Sequence, residues 1–155
     1  APFEKREGRP VHNDRGPEIM GQTTQNEQNK DMLANGNQII KTANYFVIIN
    51  GDKPEKALLT MKSTGLKTSR QWNSLMEDQF ENDPKTGKAV PAPMFSRVYK
   101  LNSVEQSGSF TWHTFNVNLL RKVDNASLYQ MARDFHNSIK GSQQQAAAGQ
   151  EESNY

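Results

Sequence analysis

Cysteine is missing from all 155 residues. That excludes a disulfide framework, every thiolate zinc or iron–sulfur site and a cysteine nucleophile. Long apolar runs are missing too. The longest is Tyr45-Phe46-Val47-Ile48-Ile49, far short of the roughly 18 apolar residues of a membrane span. No basic-then-apolar leader opens the chain, so the expectation is a soluble protein kept inside the cell and away from membranes. The Ala1-Pro2 start fits either a removed initiator Met or a fragment of something longer. Histidine is scarce: His12, His113 and His136 stand far apart on different expected elements and have no metal-ligand spacing. No G-x-S-x-G, Walker loop or G-x-G-x-x-G occurs, and Lys85-Thr86-Gly87-Lys88 lacks the upstream glycine of a phosphate loop. The carboxylates Glu77, Asp78, Glu81 and Asp83 gather at one helix end with no second cluster to work against them. The sequence therefore predicts no enzyme, no cofactor and no metal.

What is present is unevenly distributed charge. The formal charge of +2 arises from −1 over residues 1–40, +5 over residues 41–122 and −2 over residues 123–155. A basic middle between mildly acidic ends points to an anionic partner for the middle, although a solvated surface carries a similar surplus for solubility alone.

Composition divides the chain in three. Residues 1–36 are rich in Gly, Asn, Gln, Glu and Pro without any helical or strand period, which predicts an irregular polar arm. Residues 142–155 are low-complexity and predict a disordered tail. Residues 37–141 carry one foldable domain. The β-branched and aromatic run Asn44 to Asn50, the turn Asn50-Gly51-Asp52 and the short apolar run Ala57-Leu58-Leu59-Thr60-Met61 predict a β-hairpin over 43–62. Trp72, Leu75, Met76 and Phe80 then follow helical spacing behind a cap at Thr68 or Ser69. A loop is expected over 82–93, followed by two strands, Met94–Glu105 and Ser109–Val123, joined at Gln106-Ser107-Gly108. Phe115, Val117 and Leu119 alternate with Asn116 and Asn118, as a strand with one buried face does. Asp124 or Asn125 caps a last helix that carries Leu128, Met131, Ala132, Phe135 and Ile139 and is closed by Gly141. The order β-β-α-β-β-α suits a small antiparallel OB-like barrel with a helix against it, in the α+β, mainly β class.

Two stretches could carry chemistry. Met61 to Asn73 combines Lys62, Lys67 and Arg70 with four small hydroxyls and the amides of a helix start, a combination that can grip phosphate oxygens. A well-capped β-to-α turn with solvated cations explains the same residues. The second stretch is aromatic and basic: Phe95, Arg97 and Tyr99 on one strand face, Phe110 and Trp112 on another, with Lys100, Arg121 and Lys122 close by. Rings interleaved with cations make a stacking platform for single-stranded nucleic acid. Aromatics at period two are more often core, and a chain with 34% hydrophobic residues needs most of its rings inside.

The run from Leu58 to Leu75, with Met61-Lys62-Ser63-Thr64-Gly65-Leu66-Lys67-Thr68-Ser69-Arg70-Gln71-Trp72 at its centre, resembles a segment of small tailed-bacteriophage proteins. Pro93-Met94-Phe95, Tyr99-Lys100-Leu101 and Gly108-Ser109-Phe110-Thr111-Trp112 are similar to the same family, and the likeness spans roughly residues 39–140. Its members accompany phage replication genes and carry further sequence upstream. The resemblance implies an OB-like fold and a role in binding single-stranded DNA as a replication or recombination accessory in the cytoplasm of an infected bacterium. In such proteins an acidic tail with a terminal aromatic docks replication partners; Glu151-Glu152-Ser153-Asn154-Tyr155 is a short version. The expected interface is Lys62, Lys67, Arg70, Arg97, Lys100, Arg121 and Lys122 for phosphates, with Phe95, Tyr99 and Trp112 for stacking, in a chain able to form a homo-oligomer. The alternative is a phage structural or assembly protein whose N-terminal arm wraps a neighbouring subunit.

Overall fold

A computed structural model describes residues 3–6, 9–12 and 16–151, with side chains described from residue 18 to residue 142. In chain order the elements are β1 (Phe3–Arg6), β2 (Arg9–His12), α1 (Gly16–Met20), β3 (Thr24–Gln25), β4 (Asp31–Met32), β5 (Thr42–Ile49), β6 (Glu55–Lys62), α2 (Gly65–Glu77), β7 (Phe80–Asn82), β8 (Ala89–Pro91), a 3₁₀ turn (Met94–Ser96), β9 (Arg97–Ser107), β10 (Thr111–Lys122) and α3 (Ala126–Glu151). The protein is thus mainly β with three helices. Among the described residues the strands pair only two by two, β1 with β2, β3 with β4, β5 with β6, β7 with β8 and β9 with β10. No closed barrel is formed by these pairings among the described residues, so they support the mainly β class and not the finer OB-like architecture expected from the sequence. Alternation along a chain identifies strands, but it does not say whether a strand finds a partner on its second edge.

The chain divides into two compact units, Ala1–Arg70 with Glu105–Phe115, and Gln71–Val104 with Asn116–Tyr155. In the first, β5 and β6 form the hairpin read from the sequence, in antiparallel register from Thr42 opposite Lys62 to Ile49 opposite Glu55. Successive side chains of a strand take opposite faces. Ala43, Tyr45 and Val47 therefore share a face with Met61, Leu59 and Ala57, and Met61 is 1% exposed at its centre. Gly65 opens α2 against this methionine: a Cβ there would lie 3.4 Å from the Met61 Cβ. The helix starts at Gly65, ahead of the expected cap at Thr68 or Ser69, because the Ser63 and Thr64 carbonyls already accept from the Leu66 and Lys67 amides at 3.1 and 3.3 Å. Thr68 and Ser69 are buried instead. The Thr68 hydroxyl donates to the Phe115 carbonyl at 2.6 Å, and the Tyr45 hydroxyl shares a 2.7 Å hydrogen bond with that of Ser69. Within residues 1–36, which read as irregular, the backbone forms two short strand pairs and one helical turn.

In the second unit Trp72, Ala92 and Val117 are the buried apolar residues. Phe80, expected on α2, instead begins β7 and pairs with Pro91 of β8. Between those strands, where a loop was expected, the Asp83 carboxylate accepts from the Lys85 and Thr86 amides at 2.7 and 3.1 Å, and Gly87 takes φ +68°. An aspartate that caps its own turn followed by a left-handed glycine is what a tight reversal needs. In β10 only Val117 is buried; Phe115 and Leu119 are each 36% exposed, so the single buried face expected there is reduced to one residue. Asn125 is the cap of α3, its Oδ1 accepting from the Leu128 amide at 3.1 Å. The helix runs on through Gly141 to Glu151, beyond the stop expected at the glycine. The alanines and glutamines after it are good helix formers, and they outweigh one glycine.

Candidate nucleic-acid interface

The sequence-derived site residues fall into both units. In the first unit, Lys62 closes β6 and is exposed, and Ser63 beside it takes φ +50° in the turn to α2. Lys67 and Arg70, three residues apart on α2, lie on one helix face and are exposed, while Thr68 and Ser69 between them point inward. Among the described residues no carboxylate stands within ion-pair distance of Lys62, Lys67 or Arg70. The Thr68–Phe115 hydrogen bond fastens this turn of α2 to β10. Three residues along β10 from Phe115, about 10 Å at strand rise, is Trp112.

Trp112 is half-buried, and its indole N–H has no hydrogen-bond partner among the described residues. Phe110, left out of the expected stacking set, packs against it with ring centroids 5.4 Å apart and planes at 53°, and is itself 72% exposed. Gly108 closes the tip. Its amide donates to the Phe110 carbonyl at 3.1 Å, and a Cβ on it would come 3.3 Å from the Trp112 ring. At the neck of the tip the His113 Nε2 and a Glu105 carboxylate oxygen are 3.8 Å apart, both groups largely exposed. The clue to Phe110 was legible: it stands two residues after Gln106-Ser107-Gly108, at the end of a hairpin, where little of the chain is left to cover a ring.

In the second unit the expected residues are mostly occupied. Phe95 lies in the 3₁₀ turn instead of on a strand face, edge-on to Tyr129 at 5.4 Å and tilted against His136 at 5.3 Å, both from α3. Arg97 is buried, its side chain 4% exposed. Its guanidinium donates to the Ser96 hydroxyl at 2.8 Å, the Ser96 carbonyl at 3.3 Å, the Phe80 carbonyl at 3.3 Å and the Gln79 side-chain oxygen at 3.4 Å, and lies 3.8 Å from Glu81. An arginine so satisfied holds the start of β9 to the end of α2 and to β7, and it presents no charge to a ligand. Tyr99 stacks edge-on against Trp72 at 5.7 Å, and its buried hydroxyl has no hydrogen-bond partner among the described residues. Burial pushes that hydroxyl above its ordinary value of 10.0, and the neighbouring Arg97 charge opposes the shift in part. Arg121 is exposed and paired with Asp124 at 2.6 Å; Lys100 and Lys122 are exposed cations. Of the tail, Glu152 to Tyr155 lie outside the described residues. No three His, Asp or Glu side chains among the described residues gather as metal ligands do, and no described helix is long and apolar enough to cross a membrane.

Comparison with known proteins defines first a class, that of bacteriophage proteins made in an infected host. More particularly, the chain belongs to the Pam3 phage gp34-like protein family, whose family model matches residues 4–145. No curated protein and no solved structure matches the chain. The family description speaks of phage origin and names neither replication nor nucleic acid.

Proposed function

We propose that this phage protein binds single-stranded nucleic acid without catalysing a reaction, through the surface that α2 and the end of the β9–β10 hairpin build in the first unit. The observation that carries the reading is the bond from the buried Thr68 hydroxyl to the Phe115 carbonyl. It joins a helix face bearing two unopposed cations, Lys67 and Arg70, to a strand that leads to an exposed aromatic pair. Phosphate contacts and ring contacts on one surface are the two requirements of sequence-tolerant single-strand binding. Lys62 extends the basic face, whereas Arg97, Phe95 and Tyr99 serve packing. A role beside phage replication proteins, docked through the acidic tail, belongs to the same proposal.

The test is fluorescence anisotropy of a labelled oligo-dT and of a matching duplex at several salt concentrations. If three phosphates are neutralised, the logarithm of the binding constant falls with the logarithm of salt at a slope of about −2, at about −0.7 per phosphate. Removing one charge with Lys67→Gln or Arg70→Gln makes that slope shallower by about 0.7. Absence of binding at micromolar protein removes the reading.

A second reading, a structural or assembly role, is favoured by apolar side chains left in water. Leu58, Phe80, Met94 and Leu120 are all more than half exposed, while five apolar residues are buried among the described residues. A chain of this kind gains by covering its apolar surface with a neighbour. Light scattering on the purified chain, and a search for it in purified virions, test that role.

A further inference from the structure

We infer that the tip of the β9–β10 hairpin is a nucleobase-stacking site in which Phe110 takes up one unpaired base and Trp112 backs it. The inference rests on the single-strand reading above and assigns the ring chemistry of that surface. A phenyl ring 72% exposed at the end of a hairpin gives up hydrophobic stabilisation unless something flat covers it. The ring is not loose: Trp112 lies 5.4 Å away at 53°, and Gly108 packs so close to Trp112 that a Cβ would come within 3.3 Å of the indole. Phe110 is thereby braced by the tilted indole while most of its surface is left to solvent.

Three features favour a nucleobase as the occupant. In the chain the ring is flanked by Gly108, Ser109 and Thr111, so the apolar area it offers is that of one exposed ring and its half-buried indole neighbour. A protein partner calls for about 800 Å² per side, with the central ring surrounded by further contacts, whereas a base needs one π-face. The Thr68–Phe115 bond fastens the helix that carries the cations Lys67 and Arg70 to the same strand. At the neck of the hairpin the Glu105 carboxylate has the His113 imidazole beside it at 3.8 Å.

The experiment uses the full chain, an oligo-dT and an abasic oligodeoxyribose of equal length and charge, with Phe110→Ala and Phe110→Tyr. Phe110→Ala is expected to weaken oligo-dT binding about 5- to 150-fold, the equivalent of about 1–3 kcal/mol for a stacked base. It is expected to leave binding of the abasic strand and the salt slope unchanged, and Phe110→Tyr is expected to restore affinity. Equal oligo-dT binding by Phe110→Ala, or equal losses on both ligands, overturns the stacking site and leaves the phosphate-binding reading standing. If the wild-type chain binds neither strand, both fall. A Phe110→Ala chain that changes from dimer to monomer in light scattering at unchanged oligo-dT affinity assigns the ring to a protein contact and also overturns the inference.

Discussion

Thr68→Val isolates the contact on which the proposed interface depends. Valine keeps the shape of threonine, and the site is 4% exposed, so the substitution removes the hydroxyl with little change in packing. The 2.6 Å bond to the Phe115 carbonyl is lost. The net contribution of such a bond is about 1 kcal/mol, and a buried acceptor left without its donor adds a desolvation cost of about 1–3 kcal/mol. Even the lower end of their sum, about 2 kcal/mol, lowers the folding equilibrium constant roughly thirtyfold. For a chain of this size it lowers Tm by about 4–8 °C. Thermal and urea unfolding followed by circular dichroism measure the loss. Thr68→Ser, which keeps the hydroxyl, is expected to retain most of the stability. Below the unfolding range, Thr68→Val is also expected to weaken oligo-dT binding although Lys67 and Arg70 are untouched, because the helix that carries them is no longer fastened to β10. A valine variant as stable as the wild type, with the serine variant the weaker of the two, would show that the methyl group and not the hydroxyl matters at this position.

Arg97→Ala is expected to cost about 3 kcal/mol in urea unfolding, since it strips charged hydrogen bonds from the Phe80 carbonyl, Gln79 and Ser96, while the folded variant keeps its oligo-dT affinity within about twofold. A stable Arg97→Ala with a shallower salt slope would return this residue to the interface. For Tyr99, whose folded pKa is raised by burial, the sign is fixed: the neutral phenol is favoured in the folded state, so its contribution is complete below the ordinary value of 10.0 and fades as pH rises through the higher folded value. Unfolding curves collected across that range should show the alkaline loss in wild type and a smaller one in Tyr99→Phe.

The parts of the fold that were legible in the sequence are those decided locally. Asn50-Gly51-Asp52 between a β-branched, aromatic run and a second apolar run announced the β5–β6 hairpin, and Asn125 announced the start of α3. The start of α2 was misread because Thr68 and Ser69 look like caps, while their hydroxyls bond to Phe115 and Tyr45, 47 and 24 residues away. The surroundings of three expected site residues were not legible for a similar reason. Phe95, Arg97 and Tyr99 alternate with smaller residues as a platform would, yet what surrounds them comes from elsewhere: Tyr129 and His136 cover Phe95, Gln79 and Phe80 hold Arg97, and Trp72 meets Tyr99. Alternation ranks residues by face. It does not reveal which face a distant element will cover. Lys62, Lys67 and Arg70, by contrast, are exposed at the end of β6 and on the outer face of α2, as solvated cations beside a β-to-α turn are expected to be.

The measurement that bears most directly on the account is photochemical crosslinking of the full chain to a bromouracil-substituted single strand, followed by mass mapping of the attached peptides. The account predicts adducts on the segment carrying Phe110 and Trp112, suppressed by high salt and by competing oligo-dT. Adducts confined to the segment carrying Phe95 and Tyr99, or none at saturating strand, would contradict it.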